Sequence, residues 1–350
     1  MKKNFFLILM LIPAITSTII DAQDKLLPVY LKGEYGYINE KGEVMFQLKC
    51  GYVYEFSEGR AKFEQELNKY GYLDNKGKIV IQPIYDMAWN FSEGFAHVKV
   101  GDKWGFVNKD GKLVIQPQYK NADGFSEGLA AVQVDNLWGY INTSGQVVIN
   151  PQFVYARKFS EGLAGVRYLG SWGFIDKSGN FIIKSQYQQV SNFSDGLAMA
   201  CLSDKYGFIN KKGEFVIKPI YDYAAGFSEG LARVNKGAKP DPKGMFEPSG
   251  GKEGFVDKNG VEVIFPQFER VSNFSDGLAK IYKSIYTGSI SGYSFKYGYI
   301  DKKGNVVLEM KYDKAEDFNY GVAKVSREKG FMSSDRYYID KTGKFIWSDK

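Results

Sequence analysis

Short runs of apolar residues alternate with polar turn residues along the chain, and the same order of runs returns every 34 residues. In the unit from Trp104 to Leu137, residues 106–107 and 113–115 are aromatic or aliphatic, and residues 129–134 point alternately to two faces. Runs of this length between turn signals are typical of β-strands. Each unit is therefore predicted to be a three-stranded antiparallel meander, which cannot bury its apolar face without a stacked neighbour.

Two phrases mark the period. Trp or Tyr followed by Gly and another aromatic recurs at Tyr70, Trp104, Trp138, Trp172 and Tyr206, and the phrase F-S-[ED]-G keeps the same interval. A fixed period between 20 and 50 residues signals a repeat array.

Turn chemistry separates the predicted strands. In Asn108-Lys109-Asp110-Gly111, the Asn side chain is expected to bond to the turn backbone and Gly to take the left-handed conformation. Pro117 is expected to end the second strand because it lacks an N–H group. The residues that follow, up to Phe125, are predicted to be irregular or a short 3₁₀ segment.

The recurring phrases Trp-Gly-[Phe/Tyr]-[Ile/Val]-[Asn/Asp], [Val/Ile]-Ile-x-Pro-x-[Tyr/Phe] and Phe-Ser-Glu-Gly-Leu-Ala resemble the WG-repeat family of bacterial proteins across residues 35–347. The resemblance implies a β-rich repeat scaffold, often exported, with no general catalytic activity. Three later units depart from the pattern, namely Glu253-Gly254-Phe255 without the aromatic, Phe318-Asn319-Tyr320-Gly321 without Ser-Glu, and Tyr337-Tyr338-Ile339 without the Gly. Such degenerate units are expected at the caps of an array.

The N-terminus predicts export. Lys2 and Lys3 precede an apolar stretch from Phe5 to Ile12, and Ala22 closes a plausible cleavage site, so residues 1–22 are predicted to be a signal peptide. Residues 23–350 would then form one repeat array in a secreted, periplasmic or cell-surface protein, with no stable membrane span. The net charge of +6 is mild, and the sequence has no run of basic residues. Both observations argue against nucleic-acid binding.

Catalytic and metal-binding signatures are not found. His97 is the only histidine and occupies the position of Ala131 and Gly165 in neighbouring units, so a surface strand position is expected for it. No P-loop, dinucleotide fingerprint or Cys/His metal spacing occurs, and we expect no cofactor and no enzymatic activity. The recurrent carboxylates are interpreted as turn residues at a solvated edge; they are Glu58, Glu93, Glu127, Glu161, Asp195, Glu229 and Asp276.

One turn of the unit is longer in three successive C-terminal repeats, within residues 235–252, 282–296 and 326–336. Long loops on a rigid scaffold often carry binding function, although neutral lengthening also costs little free energy. Aromatics in these segments are the candidate partner-binding residues, because aromatic side chains are favoured anchors at interfaces. They are Phe246, Tyr282, Tyr286, Tyr293, Phe295 and Phe331.

The sequence thus predicts an all-β, open superhelical solenoid of about eight 34-residue units, with a closed propeller-like ring as the alternative. The predicted function is non-enzymatic binding or scaffolding toward a protein or bacterial-envelope partner. The alternative is a lectin-like module that binds a glycan with the repeated Trp-Gly aromatics. These aromatics are interpreted either as core residues or as a stacking ladder, and the exposure of Trp104, Trp138 and Trp172 distinguishes the two.

Overall fold

The computed structural model describes residues 25–65, 68–239, 249–286, 288, 292–330 and 333–348. The predicted signal peptide lies outside these residues. The described chain forms nine antiparallel sheets, which we call blades 1 to 9 in chain order. Blade 1 has three strands and each later blade has four.

The strands of the first five blades have the following bounds. Blade 1 contains β1 (Leu27–Leu31), β2 (Glu34–Ile38) and β3 (Val44–Leu48); blade 2 contains β4 (Tyr52–Ser57), β5 (Arg60–Gln65), β6 (Lys69–Leu73) and β7 (Ile79–Tyr85). Blade 3 contains β8 (Met87–Ala88), β9 (Phe95–Val100), β10 (Lys103–Asn108) and β11 (Leu113–Tyr119). Blade 4 contains β12 (Asn121–Ala122), β13 (Leu129–Val134), β14 (Leu137–Asn142) and β15 (Val147–Phe153); blade 5 contains β16 (Tyr155–Ala156), β17 (Ala164–Tyr168), β18 (Ser171–Ile175) and β19 (Phe181–Tyr187).

The remaining four blades repeat this order. Blade 6 contains β20 (Gln189–Val190), β21 (Ala198–Leu202), β22 (Lys205–Ile209) and β23 (Phe215–Tyr221); blade 7 contains β24 (Tyr223–Ser228), β25 (Leu231–Lys239), β26 (Ser249–Asp257) and β27 (Glu262–Phe268). Blade 8 contains β28 (Arg270–Val271), β29 (Ala279–Tyr286), β30 (Tyr293–Ile300) and β31 (Val306–Tyr312); blade 9 contains β32 (Lys314–Ala315), β33 (Val322–Gly330), β34 (Ser333–Asp340) and β35 (Phe345–Ser348).

The fourth strand of a blade corrects the predicted three-stranded unit. In blade 4 the segment expected to be irregular contains β12, which pairs with β13. The Lys120 N–H donates to the Gln133 carbonyl at 2.9 Å, and the Asp123 N–H donates to the Ala131 carbonyl at 2.9 Å. A strand of two residues is too short to show a period of two, so the sequence pattern does not reveal it.

The glycine of the Trp-Gly phrase allows two strands to approach closely. A Cβ added at Gly105 would lie 2.5 Å from the carbonyl oxygen of Ile115 and 2.7 Å from the nitrogen of Pro117. The β10–β11 register shifts in the same region, between the pairs Trp104–Tyr119 and Phe106–Ile115. Pro117 therefore sits in an irregularity where no ladder N–H is needed, and the prediction that it ends the strand is wrong because β11 continues to Tyr119.

The hydrophobic core lies between consecutive blades. Tyr72 and Ile81 of blade 2 pack with Phe91, Val98 and Val107 of blade 3 in one buried cluster. The same aromatic contact recurs along the chain, with ring centroids 4.9 Å apart for Tyr72–Phe91 and for Tyr140–Phe159, and 4.8 Å apart for Phe174–Phe193. Each blade therefore buries its apolar face against the next, as a repeat that is unstable alone must do.

The two ends of the array meet, so the prediction of an open solenoid is wrong. Leu27, Val29 and Ile38 of blade 1 form a buried cluster with Val322 and Tyr338 of blade 9. The Tyr338 hydroxyl donates a hydrogen bond to the Pro28 carbonyl at 2.8 Å. The chain is a closed ring of nine blades, a β-propeller arrangement, which matches the alternative prediction.

The last unit is a closing blade rather than a polar cap. Its strand register places Tyr337 opposite Val325, where blade 8 places Gly298 opposite Ile281. Tyr337 therefore occupies the position of the missing glycine, and Tyr338, which follows it, contacts blade 1. A repeat period does not specify the rotation between neighbouring units, so these contacts show the closure and the period does not.

Within the described residues, no helix is both long and apolar enough to cross a membrane.

Candidate functional site

The F-S-[ED]-G turns hold neighbouring blades together. The Ser92 hydroxyl donates to the Phe125 carbonyl of the next blade at 2.8 Å. The Glu93 carboxylate accepts hydrogen bonds from the Glu127 N–H at 2.6 Å and the Gly128 N–H at 2.8 Å. The recurrent carboxylates thus link one turn to the next, which is a structural role and not the asymmetric pair that a glycosidase needs.

The Trp-Gly aromatics serve mainly as packing residues. Trp104 and Trp172 are buried, and Trp138 is half-buried against Tyr155 with ring centroids 5.9 Å apart. Buried rings offer little surface to a sugar, so a saccharide would have to bind elsewhere on the ring of blades.

His97 is buried, and its predicted surface position is wrong. Its ring stacks on Trp89 with centroids 5.7 Å apart and planes inclined by 13°, and it lies 5.4 Å from the Trp104 ring. Burial lowers the pKa of His97 to about 4, against the opposing effect of Asp123, and Lys62 lowers it further. A neutral imidazole enclosed by aromatic rings is a packing residue.

The position of His97 changes character around the ring. In the sequence alignment of the units, blades 4 to 6 carry small or apolar residues there, and blades 7 to 9 carry cations. The residues are Ala131, Gly165 and Met199, followed by Arg233, Lys280 and Lys324. This change from small or apolar residues to cations is visible when the repeats are aligned position by position, although no single motif reveals it.

Three blades form an open cleft of about 470 Å³ around blade 8, which we call the blade-8 cleft. Blade 7 contributes Arg233. Blade 9 contributes Asp317, which follows the first strand of that blade. Blade 8 contributes the rest of the lining, namely Arg270, Val271, Ser272, Asn273, Lys280, Tyr282 and Tyr297. This volume lies within the range of small-ligand pockets.

A buried ion pair lies beside the blade-8 cleft, and one of its members, Arg233, lines the cleft. Glu253 replaces the aromatic of the Trp-Gly phrase in blade 7, and its carboxylate lies 3.5 Å from Arg233 Nη1. The same carboxylate accepts the Val271 N–H at 2.7 Å, and Arg233 donates to the Val271 carbonyl at 3.2 Å. In this unit the aromatic is therefore replaced by an ion pair within blade 7, and both members of the pair hydrogen-bond to the Val271 backbone of blade 8.

Cations outnumber carboxylates around the cleft. Arg233, Arg270 and Lys280 line the cleft, and Asp317 is the carboxylate in its lining. Lys280 Nζ lies 3.4 Å from Asp317 Oδ1, and Arg233 pairs with Glu253. Burial raises the pKa of Tyr282, with Arg270 acting in the opposite direction. Tyr282 therefore presents a neutral hydroxyl at neutral pH, next to a positively charged surface.

The second insertion lengthens a β-hairpin and does not form a loop. Strands β29 and β30 continue to the pair Tyr286–Tyr293, beyond the two-residue turn at Gly101-Asp102 of a regular blade. The prediction of a long loop is therefore wrong for Tyr282, Tyr286, Tyr293 and Phe295, which lie in these two strands. Strands β25–β26 and β33–β34 are the corresponding long hairpins of blades 7 and 9.

Four of the predicted binding aromatics share one face of the long blade-8 hairpin. Side chains two residues apart on a strand point to the same face, and the cross-strand pairs are Tyr282–Tyr297, Ser284–Phe295 and Tyr286–Tyr293. We call Tyr297, Tyr282, Phe295, Tyr286 and Tyr293 the aromatic stripe. Ring centroids are 5.4 Å apart in each of the contacts Tyr282–Tyr297, Tyr282–Phe295 and Tyr286–Tyr293.

The aromatic stripe runs from the blade-8 cleft to the exposed end of the hairpin. Tyr282 and Tyr297 line the cleft and are half-buried, whereas Tyr286 is 71% exposed and Tyr293 is 59% exposed. The two remaining predicted residues, Phe246 and Phe331, lie outside the described residues. Within the described residues, no group of three or more His, Cys, Asp or Glu side chains is placed to hold a metal ion.

The ring has likenesses among solved structures, and the three that follow have TM-scores below 0.5. Hsv2p of Kluyveromyces lactis is 10% identical, covers 81% of this chain and 97% of its own, and has a TM-score of 0.39. BamB from Moraxella catarrhalis is 11% identical, with 91% and 92% coverage and a TM-score of 0.37. Dihydro-heme d1 dehydrogenase NirN is 11% identical, with 94% and 73% coverage and a TM-score of 0.45.

Sequence comparison is more specific. No curated protein matches the chain. The family model described as WG containing repeat matches eight segments, and together they span most of the chain. The segments are residues 35–69, 70–104, 104–138, 138–170, 172–206, 206–239, 254–284 and 297–329. The chain belongs to the WG-containing-repeat family.

Proposed function

We propose that this protein is an exported, non-enzymatic binding scaffold that engages a protein or another component of the cell envelope through blades 7 to 9. The observation that carries the proposal is the aromatic stripe, which joins a cationic cleft to the exposed end of a lengthened hairpin. Exposed aromatic side chains are favoured anchors in binding interfaces. A rigid ring built from repeated turns and cores would hold that surface in place.

The proposal assigns binding rather than catalysis to this surface. Lys280 is paired with Asp317, and Arg233 is paired with Glu253. These groups can orient and neutralise a ligand, which is what a recognition site requires. Export is part of the proposal because the N-terminal residues have the pattern of a signal peptide.

The experiment is capture from a native envelope fraction with the full chain and two double variants. Tyr286→Ser/Tyr293→Ser removes exposed rings from the aromatic stripe, and Tyr155→Ser/Tyr168→Ser removes two exposed rings, 55% and 37% exposed, from blade 5. We expect the first variant to lose captured partner about tenfold, because two exposed anchors each contribute to affinity. The second variant should capture normally.

Equal capture by the wild type and the Tyr286/Tyr293 variant would contradict the proposal. Thermal unfolding of both variants serves as the folding control. Surface substitutions of this kind usually change stability by less than about 0.5 kcal/mol.

A further inference from the structure

We propose that the aromatic stripe and the blade-8 cleft bind a uronic-acid-containing oligosaccharide. A uronate carboxylate would lie in the cleft, and the neighbouring sugar rings would lie along the stripe. This inference rests on the proposed binding function and names the chemical class of the envelope component.

The stripe has the geometry of a platform for an extended ligand. Its rings follow one face of two paired strands from Tyr297 and Tyr282 outward to Tyr286 and Tyr293. Four residues of strand span about 13 Å, which is longer than one sugar ring. One face of a pyranose carries mainly C–H groups, and such groups pack on aromatic faces as other apolar groups do.

The cleft supplies the polar half of the site. Arg270 lies opposite Tyr282 in the strand register, and Lys280 lines the same cleft. A guanidinium matches the planar, two-oxygen geometry of a carboxylate. Ser272, Asn273 and Asp317 provide donors and acceptors for sugar hydroxyls.

Asp317 argues against a compact, highly charged anion. Its carboxylate lies 3.4 Å from Lys280 Nζ, inside the lining of the cleft. A like charge nearby disfavours phosphate, which concentrates its charge. A hydroxyl group, by contrast, can donate to the same carboxylate. The combination of one accepting carboxylate, two cations and an aromatic platform therefore favours an acidic sugar chain.

The direct test is calorimetric titration of the full chain with short oligomers of galacturonate, hyaluronan and alginate. Maltotriose is the neutral sugar control, tri-glutamate supplies carboxylates without sugar rings, and inorganic phosphate supplies a simple anion. We expect at least one uronic-acid oligomer to bind at least about tenfold more tightly than all three controls. Arg270→Gln and Lys280→Gln, measured separately, should each weaken that binding about tenfold because each removes a charged hydrogen-bond donor.

The Tyr286→Ser/Tyr293→Ser variant should also weaken oligomer binding, and Tyr155→Ser/Tyr168→Ser should not. The inference is overturned if no uronic-acid oligomer binds up to about 50 mM, beyond the millimolar affinity of weak small ligands. Equal binding of tri-glutamate or phosphate, or full affinity in both Gln variants, would overturn it as well. If envelope capture still depends on Tyr286 and Tyr293 while these sugars fail to bind, the scaffold function stands and the saccharide assignment is wrong.

Discussion

Blades 4 and 8 have the same framework and different surfaces. Across blade 4 one register row reads Asn121, Gln133, Trp138 and Phe153. The equivalent row of blade 8 reads Arg270, Tyr282, Tyr297 and Tyr312. The last two residues of the row are aromatic in both blades. The first two residues change from two amides in blade 4 to an arginine and a tyrosine in blade 8.

The buried contacts explain why this divergence is tolerated. Phe125 packs on Phe106 with ring centroids 4.9 Å apart, and Phe318 packs on Tyr299 with centroids 4.7 Å apart. The Ser hydroxyl-to-Phe carbonyl bond recurs at 2.7 Å from Ser126 to Phe159 and at 2.6 Å from Ser275 to Phe318. The repeat therefore conserves its inter-blade contacts while the hairpins and the first strands vary.

The largest effect is expected from removing a buried phenylalanine in either region. Phe159 in the regular blades and Phe318 in blade 9 are both fully buried at equivalent positions. Phe159→Ala and Phe318→Ala should each lower the free energy of unfolding by roughly 3–5 kcal/mol, because each leaves a cavity between blades. Denaturant unfolding of the two variants measures the losses.

The comparison predicts that these two losses agree within about 1 kcal/mol. A much smaller loss for Phe318→Ala would mean that blade 9 is only loosely attached. The framework would then differ between the two regions as the surface does.

A smaller effect is expected from the buried ion pair that distinguishes blade 7. Glu253→Leu leaves Arg233 without its carboxylate and removes the acceptor of the Val271 N–H. It should cost about 3 kcal/mol, since an unbalanced buried charge is strongly destabilising. Arg233 also contacts Tyr223, with Cζ 5.2 Å from the ring centroid, which holds the cost toward the lower end.

The matched control copies blade 6, which has Met199 and Tyr206 at the two positions. Arg233→Met/Glu253→Tyr should recover more than half of the lost stability, because replacing a buried pair with apolar groups is often neutral. A double variant as unstable as Glu253→Leu would show that the ionic contact is required for folding of this junction.

The sequence predicted what depends on local chemistry. The Asn108 turn is one example: its side chain accepts the Lys112 N–H at 2.9 Å, and Gly111 has φ of 83°. Closure between blades 1 and 9 was missed because it depends on the angle between blades, which side-chain packing sets. At the candidate site, the sequence drew attention to four aromatic residues that the structure places on one face of a hairpin, and their role in binding stays a prediction. The Arg233–Glu253 pair was not predicted, because its partners are 20 positions apart and no sequence motif links them.

The smallest effect on stability is expected at the repeat position that Arg233 occupies in blade 7, in a blade where the residue is buried and uncharged. Blade 3 holds a neutral His97 where blade 7 holds a charged Arg233. Burial lowers the pKa of His97 from 6.5 to about 4. Between these values the unfolded chain binds a proton that the folded chain does not, so acidification favours unfolding.

The loss of stability attributable to His97 should begin as the pH falls below about 6.5 and be complete below about 4. Between pH 7 and pH 5 it should be about 2 kcal/mol. The measurement is denaturant unfolding of the wild type and of His97→Met, which carries the residue of blade 6 at this position. Carboxylates other than Asp123, which acts on His97, contribute equally to both proteins, so the difference between the two pH profiles reports the histidine and its interaction with Asp123. Parallel profiles between pH 7 and pH 4 would mean that His97 takes up a proton while folded. Blade 3 would then accept a charge at this position, as blade 2 does with Lys62 and blades 7 to 9 do with Arg233, Lys280 and Lys324.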